Sequence, residues 1–442
     1  MPIATRSVPV RGNSIAERIR VTGGRSSGFD YLRLALALSV ILTHSFTASY
    51  GDMTDLDFTV PAARPFIHLV LPMFFGLSGF LVAGSLERSR TLISFFGLRV
   101  LRIVPALSVD VVLSALLLGP LFTDFSLAHY LTDAQFHRYF LNIVGDIHFT
   151  LPGLFLHNPR AATVNGQLWT IPAELQCYAM LGALAAAGLV RRRVILLVAV
   201  LAGQALWVWV GLHRPTTMVE IHNGANVATL VLSFVTGVTF YAWRDRVPLN
   251  LPLFLAAAAA AIILGFLPSG ALYLPLPAVY VTLFLGFLDP PRRWIVRSGD
   301  YSYGIYLYGF PIQQTIAMVP ALREWYLSLA IAWPAAFSLA FLSWHFVEKP
   351  VGRWRSVLPR IEAGLSALLL GRPAAIADRS LDHGALPSPR WVAYLMLGLI
   401  PVALMLNGHG QAGVLAALAA FAVATIDLRR SASPGAPREA QA

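Results

Sequence analysis

The chain has 442 residues, of which 57% are hydrophobic and only 12% charged, and its mean hydropathy is +0.65. Soluble domains carry about 25% charged residues. Long apolar runs replace the amphipathic stripes of a soluble fold, which excludes a disordered chain, a coiled coil, a disulfide scaffold and a cytosolic enzyme. The composition predicts a polytopic helical membrane protein of the all-α class.

The charge is strongly basic, with 33 Lys and Arg against 22 Asp and Glu and a formal net charge of +11. A basic chain can indicate nucleic-acid binding, but here the basic residues lie in short segments between apolar runs, so no nucleic-acid partner is expected. The positive-inside bias of membrane loops explains them better. The single cysteine, Cys177, lies in an apolar run and is interpreted as a small hydrophobic residue.

The first 28 residues contain five arginines but no apolar core of the kind that a secretory signal peptide needs. We interpret this segment as a cytoplasmic tail. Apolar segments long enough to span a bilayer follow it. They are predicted at 31–50, 65–86, 103–122, 168–189, 194–212, 226–243, 250–267, 271–288, 301–321 and 325–346, with one or two more at 391–407 and 412–428.

Arginine-rich connections follow every second segment and alternate with connections that are poor in arginine. The positive-inside rule then places both termini in the cytoplasm. The expected organisation is a tail (1–28), a membrane body of about ten spans (29–355), a cytoplasmic linker (356–390), a two-span appendage (391–428) and a cytoplasmic tail (429–442). Residues 123–167 form an external loop whose four histidines match no compact ligand spacing, so no metal is expected.

Charged residues inside spans are costly and are therefore candidate functional groups. Arg33 and His44 lie eleven residues apart, close to three helical turns, so both point to one face with about 16 Å between them. An arginine near the cytoplasmic surface and an imidazole deeper in the membrane suit a long anionic cofactor. A snorkelling arginine and a histidine bonded between helices are the ordinary alternatives.

Four further ionisable residues lie in later spans. Arg99 and Arg102 are neighbours on one helical face and could form a bidentate phosphate site, although loop charge alone would also explain them. Glu174 could orient the imidazole, bind a hydroxyl substrate or pair with an arginine. Asp110 is expected to be a structural hydrogen-bonding group.

Six motifs in order across about residues 28–355 resemble the membrane acyltransferase-3 family, the bacterial O-acyltransferases that modify surface glycans. They are GFDYLRLALALSVILTH, LPMFFGLSGFLVAGSL, FFGLRVLRIVPAL, NGQLWTIPAELQCY, GDYSYGIYLYGFPI and SWHFVEKP. The chain departs from the family at Gly309, where many relatives carry a second histidine, so the fifth motif receives no catalytic role.

The resemblance implies an acyltransferase-3-like domain over residues 29–355, in a multi-pass protein of the bacterial inner membrane. It implies transfer of an acyl group, with acetyl expected, from cytoplasmic acyl-CoA to a hydroxyl of a polysaccharide or glycolipid. His44 would be the general base, or the site of an acyl intermediate, with Glu174 as its catalytic partner. Arg33, Arg99 and Arg102 would hold the acyl-CoA phosphates. No permanently bound cofactor is implied, and the partners are acyl-CoA, the glycan acceptor and membrane lipids.

Two alternatives come from other classes of protein. A secondary transporter or lipid flippase would share the spans and the intramembrane charges, but the sequence shows no inverted repeat. A structural membrane protein would fit the composition, but it gives no reason for Arg33 and His44 to share a helical face.

Overall fold

A computed structural model describes residues 14–51, 60–89, 91–213, 226–267 and 269–358. The described residues form helices and loops with no β-strand, which confirms the all-α class. The predicted appendage at 391–428 and nearly all of the 356–390 linker lie outside the described residues.

The α-helices of five or more residues follow one another in chain order. They are α1 (Ile15–Val21), α2 (Ser27–Tyr50), α3 (Arg64–Arg88), α4 (Leu92–Leu113), α5 (Leu127–Thr132), α6 (Ala134–Tyr139), α7 (Thr170–Ala186), α8 (Arg193–His213), α9 (Val227–Ala242), α10 (Leu251–Phe266), α11 (Pro275–Gly286), α12 (Trp294–Ser298), α13 (Ser302–Ala317) and α14 (Trp325–Ser343). Two of them continue through a π-helical segment, Ser114–Leu118 after α4 and Trp344–Glu348 after α14.

Five helical stretches are long and apolar enough to cross a membrane by length and composition. They are Ser27–Tyr50, Pro61–Arg88, Leu92–Phe122, Arg193–His213 and Trp325–Ser356. Helices α9, α10 and α11 are apolar but shorter, with 12 to 16 residues. Each of the ten predicted core segments overlaps a helix, but the count of about ten spans stays a prediction.

The third of these stretches begins earlier than the sequence suggested. Its predicted span started at residue 103, whereas α4 begins at Leu92, where the side chain of Thr91 accepts a hydrogen bond from the backbone N–H of Ser94. Such a cap satisfies a free donor at the helix start. Arg99 and Arg102 therefore lie within a helix, not in a loop.

Glycines allow the central helices to approach closely. A Cβ atom added at Gly79 of α3 would lie 2.0 Å from the carbonyl oxygen of Phe234 in α9, and one at Gly237 would lie 2.2 Å from the oxygen of Gly76. Small residues at such crossings let backbones pack where lipid provides no hydrophobic drive. Helix α13 likewise packs between α2 and α14, and this arrangement places the candidate functional residues along the α2–α13 interface.

Candidate active site

A cluster of paired charges lies at the α2 N-terminal end of this interface. A single oxygen of Asp300, Oδ2, accepts hydrogen bonds from Arg33 Nη1 at 2.6 Å and from Arg102 Nη2 at 2.9 Å. Its other oxygen, Oδ1, accepts from the hydroxyl of Ser302 at 2.6 Å, at the start of α13. Asp300 thus ties α2, α4 and α13 together through one carboxylate.

Asp300 is ionised despite its surroundings. Burial disfavours its charged form, but the charges of Arg102 and Arg33 and the bond from Ser302 outweigh this effect and lower the pKa of the Asp300 carboxyl below its ordinary value. Because the folded-state pKa is depressed, the ion pairs persist at neutral pH and weaken only as pH falls below the ordinary carboxyl range.

Arg102 lies at the centre of the cluster. Besides Asp300, its guanidinium lies 3.6 Å from the buried carboxylate of Glu348 and above the ring of Tyr303, with 5.5 Å between the guanidinium carbon and the ring centroid. Glu348 belongs to the π-helical segment after α14. The segment after α14 thus contacts the same arginine as Asp300 and Tyr303 do.

Arg99 and Glu174 lie in a second layer of this cluster. Arg99 donates to the hydroxyl of Ser85 at 2.9 Å and lies 5.7 Å from the ring centroid of Tyr178. Tyr178 in turn donates to the carboxylate of Glu174. The cationic neighbours of Glu174 are Arg102 and Arg99.

Glu174 therefore lies with the arginines and not with the imidazole. Among the described residues, the side-chain hydrogen bond of its carboxylate comes from Tyr178, and no contact with His44 is present. Arg102 and Arg99 act on Glu174 electrostatically, but at distances longer than an ion pair, so the three interpretations of its role from the sequence stay predictions. The arrangement supplies no geometry by which Glu174 would orient His44.

His44 lies about three turns along α2 from Arg33 and only 8% of its surface is exposed. Its ring packs edge-on against Phe310 of α13, with 5.2 Å between centroids, so both Arg33 and His44 face the chain segment that forms α13. The ring lines a cavity of about 20 Å³. That volume is about the size that a single water molecule needs.

Neutral polar groups surround this cavity. Gln167, just before α7, donates from Nε2 to the carbonyl of Leu307 at 2.6 Å, which leaves its Oε1 buried with no partner in the described structure. Tyr306 donates to the backbone carbonyl of Gln167 and is hydrogen-bonded to Thr170. The hydroxyl of Tyr306 thus already has two hydrogen-bond partners, whereas Gln167 Oε1 can still accept a hydrogen bond.

The loop before α7 covers the His44 end of the interface. Asn158 donates to the backbone oxygen of Gln314 in α13 at 2.8 Å, and Gln314 donates back to the oxygen of Arg160 at 2.8 Å. Deeper in the protein, buried Asp110 accepts from Asn165, two residues before Gln167, which fits the structural role expected of this aspartate. The loop is therefore held on both α4 and α13.

Gly309, which stands where many relatives carry a second histidine, packs closely against Ile41 of α2. A Cβ at Gly309 would lie 2.6 Å from Cγ1 of Ile41, one turn before His44 on α2. At this distance either the Ile41 side chain must turn or the helices must shift. The glycine therefore brings α13 close to α2 beside the imidazole.

The structure brings Arg33, Arg99, Arg102 and Glu174 into one cluster and leaves His44 in a separate cavity. Sequence reasoning missed Asp300, Glu348 and Gln167, although each lies inside a motif that it quoted. A signal was present for the two carboxylates, because charged residues at the ends of apolar spans need partners. Nothing in the spacing indicated Gln167.

Comparison with known proteins identifies the chain. Residues 26–347 match a family described as an acyltransferase domain, acyltransferase 3. The chain belongs to this acyltransferase-3 family. The family assignment confirms the resemblance seen in the six motifs, and the protein is an O-acyltransferase. Its apolar helices agree with a membrane protein.

Two relatives are 27% identical to this acyltransferase-3 member. One is an O-acetyl transferase of Shigella phage Sf6, aligned over 74% of this chain and 96% of its own length. The other is nodulation protein 10 of Rhizobium leguminosarum bv. viciae, aligned over 76% of this chain and 96% of its own length. No solved structure matches the chain.

Proposed function

We propose that this acyltransferase moves an acetyl group from cytoplasmic acetyl-CoA to a hydroxyl of a cell-surface polysaccharide or glycolipid. In this proposal the protein lies in the bacterial inner membrane with about ten core spans and both termini in the cytoplasm. The charged cluster then faces the cytoplasm, and the 123–167 loop covers the opposite side. The choice of acetyl rests on the relative named O-acetyl transferase.

His44 is the catalytic residue of the proposal. A ring nitrogen takes the proton of the acceptor hydroxyl as the hydroxyl oxygen bonds to the thioester carbonyl carbon. The carbon–sulfur bond then breaks, and the same proton passes to the leaving sulfur. An imidazole suits this exchange because its unperturbed pKa is near 6.5. The same ring could instead carry the acetyl group transiently.

The acceptor hydroxyl has a partner already in place. Gln167 Oε1 is a buried acceptor without a hydrogen bond in the described structure, and it lies on the wall of the His44 cavity. An unmet buried acceptor costs about 1–3 kcal/mol. A second hydroxyl or the reacting hydroxyl of the acceptor can relieve this cost by donating to Gln167.

The donor side of the proposal uses Arg33, Arg99 and Arg102. Asp300 holds the guanidiniums of Arg33 and Arg102, and Glu348 lies beside Arg102. Arg99 is held by the hydroxyl of Ser85. Guanidiniums fixed in this way suit the diphosphate of acyl-CoA. In this proposal Glu174 is a positioning residue that acts through Tyr178, while the catalytic role expected from the sequence stays a prediction.

One observation carries the proposal. His44 and Arg33 lie on one face of α2, about 16 Å apart by helical rise, with the imidazole at a small cavity and the arginine in a charged cluster. A donor that is anionic at one end and reactive at the other matches these two positions. The family membership fits the same chemistry.

Replacing His44 with Gln tests this assignment. In a deletion strain complemented with the variant, the acetyl ester of the surface glycan should be lost while the protein level in the membrane stays normal. Mass spectrometry of the glycans measures the ester. The matched control is His129→Gln in the exposed part of the covering loop, which should restore the ester fully. A retained ester in the His44 variant would remove the imidazole from the mechanism.

A further inference from the structure

A cavity of about 370 Å³ lies next to the charged cluster, and the proposed roles of the arginines leave it unused. Asp30 and Asp300 form its inner wall, while Arg297, Tyr301, Trp344 and Lys349 lie among its other lining residues. Small-molecule sites in proteins have volumes of about 300–1,000 Å³. The cavity is therefore large enough for part of a nucleotide.

The unpaired charge in this cavity is positive. The negative charge of Asp300 is paired with Arg33 and Arg102. The carboxylate of Asp30 lies 3.4 Å from the guanidinium of Arg33 and 3.9 Å from that of Arg292. Arg297 and Lys349 are exposed, and neither forms an ion pair within the part of the chain that the structure describes. Two cations are thus left to receive an anionic ligand.

Two buried donors in the wall also lack partners. The indole Nε1 of Trp344 and the hydroxyl of Tyr301 make no hydrogen bond to any described residue. An indole N–H can only donate, so its missing partner must be an acceptor. Gly299 lies against this group, since a Cβ there would be 2.3 Å from Nε1. Cations and unmet donors together indicate an anion with several acceptor oxygens.

The cavity also lies in line with His44. Leu34 of α2 lines it, and His44 lies ten residues further along the same helix, about 15 Å by helical rise. On α13 and its N-terminal edge, Ser302 lines this cavity and Tyr306 lines the cavity of His44. A ligand bound at the first cavity could extend along the α2–α13 interface to the second.

We propose that this cavity binds the phosphorylated adenosine end of the acyl-CoA donor, with Arg297 and Lys349 contacting its 3′-phosphate and Trp344 and Tyr301 donating to its oxygens. This inference rests on the proposed function. The 3′-phosphate is assigned to Arg297 and Lys349, which form no ion pair within the described residues. Arg33, Arg99 and Arg102 then remain to bind the diphosphate, which would lie nearer to the α2–α13 interface.

The test uses the full-length protein purified in detergent and isothermal titration calorimetry with CoA and 3′-dephospho-CoA. The unmodified protein should bind CoA about tenfold more tightly than 3′-dephospho-CoA, the value of one good charge-assisted contact. The Arg297→Gln, Lys349→Gln double variant should bind CoA about tenfold more weakly and 3′-dephospho-CoA with unchanged affinity. Trp344→Phe should weaken both ligands by about threefold.

Arg293→Gln is the matched control, because Arg293 is exposed in the same segment but does not line the cavity. It should bind both ligands as the unmodified protein does. The Arg297→Lys, Lys349→Arg variant keeps both charges and should retain the preference for CoA, which separates charge from folding effects.

The possible outcomes separate the inference from the proposed function. If the double variant keeps the preference for CoA, the phosphate lies elsewhere and the inference fails while CoA binding still stands. If phosphatidylglycerol added to the micelles binds the unmodified protein but not the double variant, while CoA binds both with equal affinity, the cavity is a lipid-headgroup site and the nucleotide assignment fails. If the unmodified protein binds no CoA, the proposed function fails as well.

Discussion

The two ends of the α2–α13 interface accommodate polar groups in different ways. At the Arg33 end, carboxylates and guanidiniums neutralise one another and adjoin a cavity of about 370 Å³. At the His44 end, the imidazole packs against Phe310 and lines a cavity of about 20 Å³ together with aliphatic, amide and hydroxyl side chains. Fixed ion pairs suit the recognition of a charged ligand, whereas an imidazole that forms no ion pair within the described residues remains available to exchange a proton.

The largest expected effect is the loss of stability on replacing Arg102, which tests whether paired charges hold the Arg33 end together. Arg102→Met removes the cation between Asp300 and Glu348 and should lower the free energy of unfolding by about 3 kcal/mol, because buried Glu348 loses its cation and Asp300 keeps only Arg33. Equilibrium unfolding in detergent micelles measures the loss. Combining Arg102→Met with Glu348→Gln should recover part of it, since one uncompensated charge is removed. Unchanged stability in the single variant would show that the cluster does not hold the helices together.

A smaller effect is expected from packing at the His44 end. Gly309→Ala should destabilise the protein by about 2 kcal/mol, because overpacking against Ile41 forces the helices apart. The control is Gly352→Ala, where an added Cβ meets no atom within 4 Å. Ile41→Ala should couple favourably with Gly309→Ala in a double-mutant cycle measured by thermal unfolding. Strictly additive losses would contradict the close approach of the two helices.

The smallest expected effect is that of Glu174→Gln, which tests whether Glu174 acts at the charged end of the interface. Glu174→Gln should reduce the acyl-transfer rate by about tenfold through misplacement of Arg99 and Arg102. The rise in rate with pH that reports His44 deprotonation should keep its midpoint, because the carboxylate does not contact the ring. Tyr178→Phe, which removes the donor to Glu174, should act in the same direction. A shifted midpoint in the Glu174 variant would place the carboxylate back beside the imidazole.

The sequence predicted the helical class and drew attention to Arg33, Arg102 and His44, but it could not predict which residues lie beside them. Helical spacing indicates that Arg33 and His44 share a face, since that relation depends only on the period of one helix. It does not indicate which helix that face meets. Pairing Arg33 with Asp300 requires contact between residues 267 positions apart, and the same limit left three roles open for Glu174.

The short apolar helices show a second limit of sequence reasoning. Residues 271–288 form one uninterrupted apolar run, yet a 3-10 turn (Gly270–Tyr273) precedes α11, which begins only at Pro275. Hydropathy reports how favourably a segment transfers from water into the bilayer. It does not indicate the residue at which a helix begins. Proline at the first helical positions fixes that start in the structure.

Gly309 has a consequence for what the enzyme admits. A Cβ at this position would lie 2.6 Å from Cγ1 of Ile41, so a larger side chain requires Ile41 to turn or α13 to shift. The space beside His44, one turn along α2, therefore depends on a side chain that is absent. We expect the width of this site to be set by the spacing of two helices and not only by the residues that touch the acyl group.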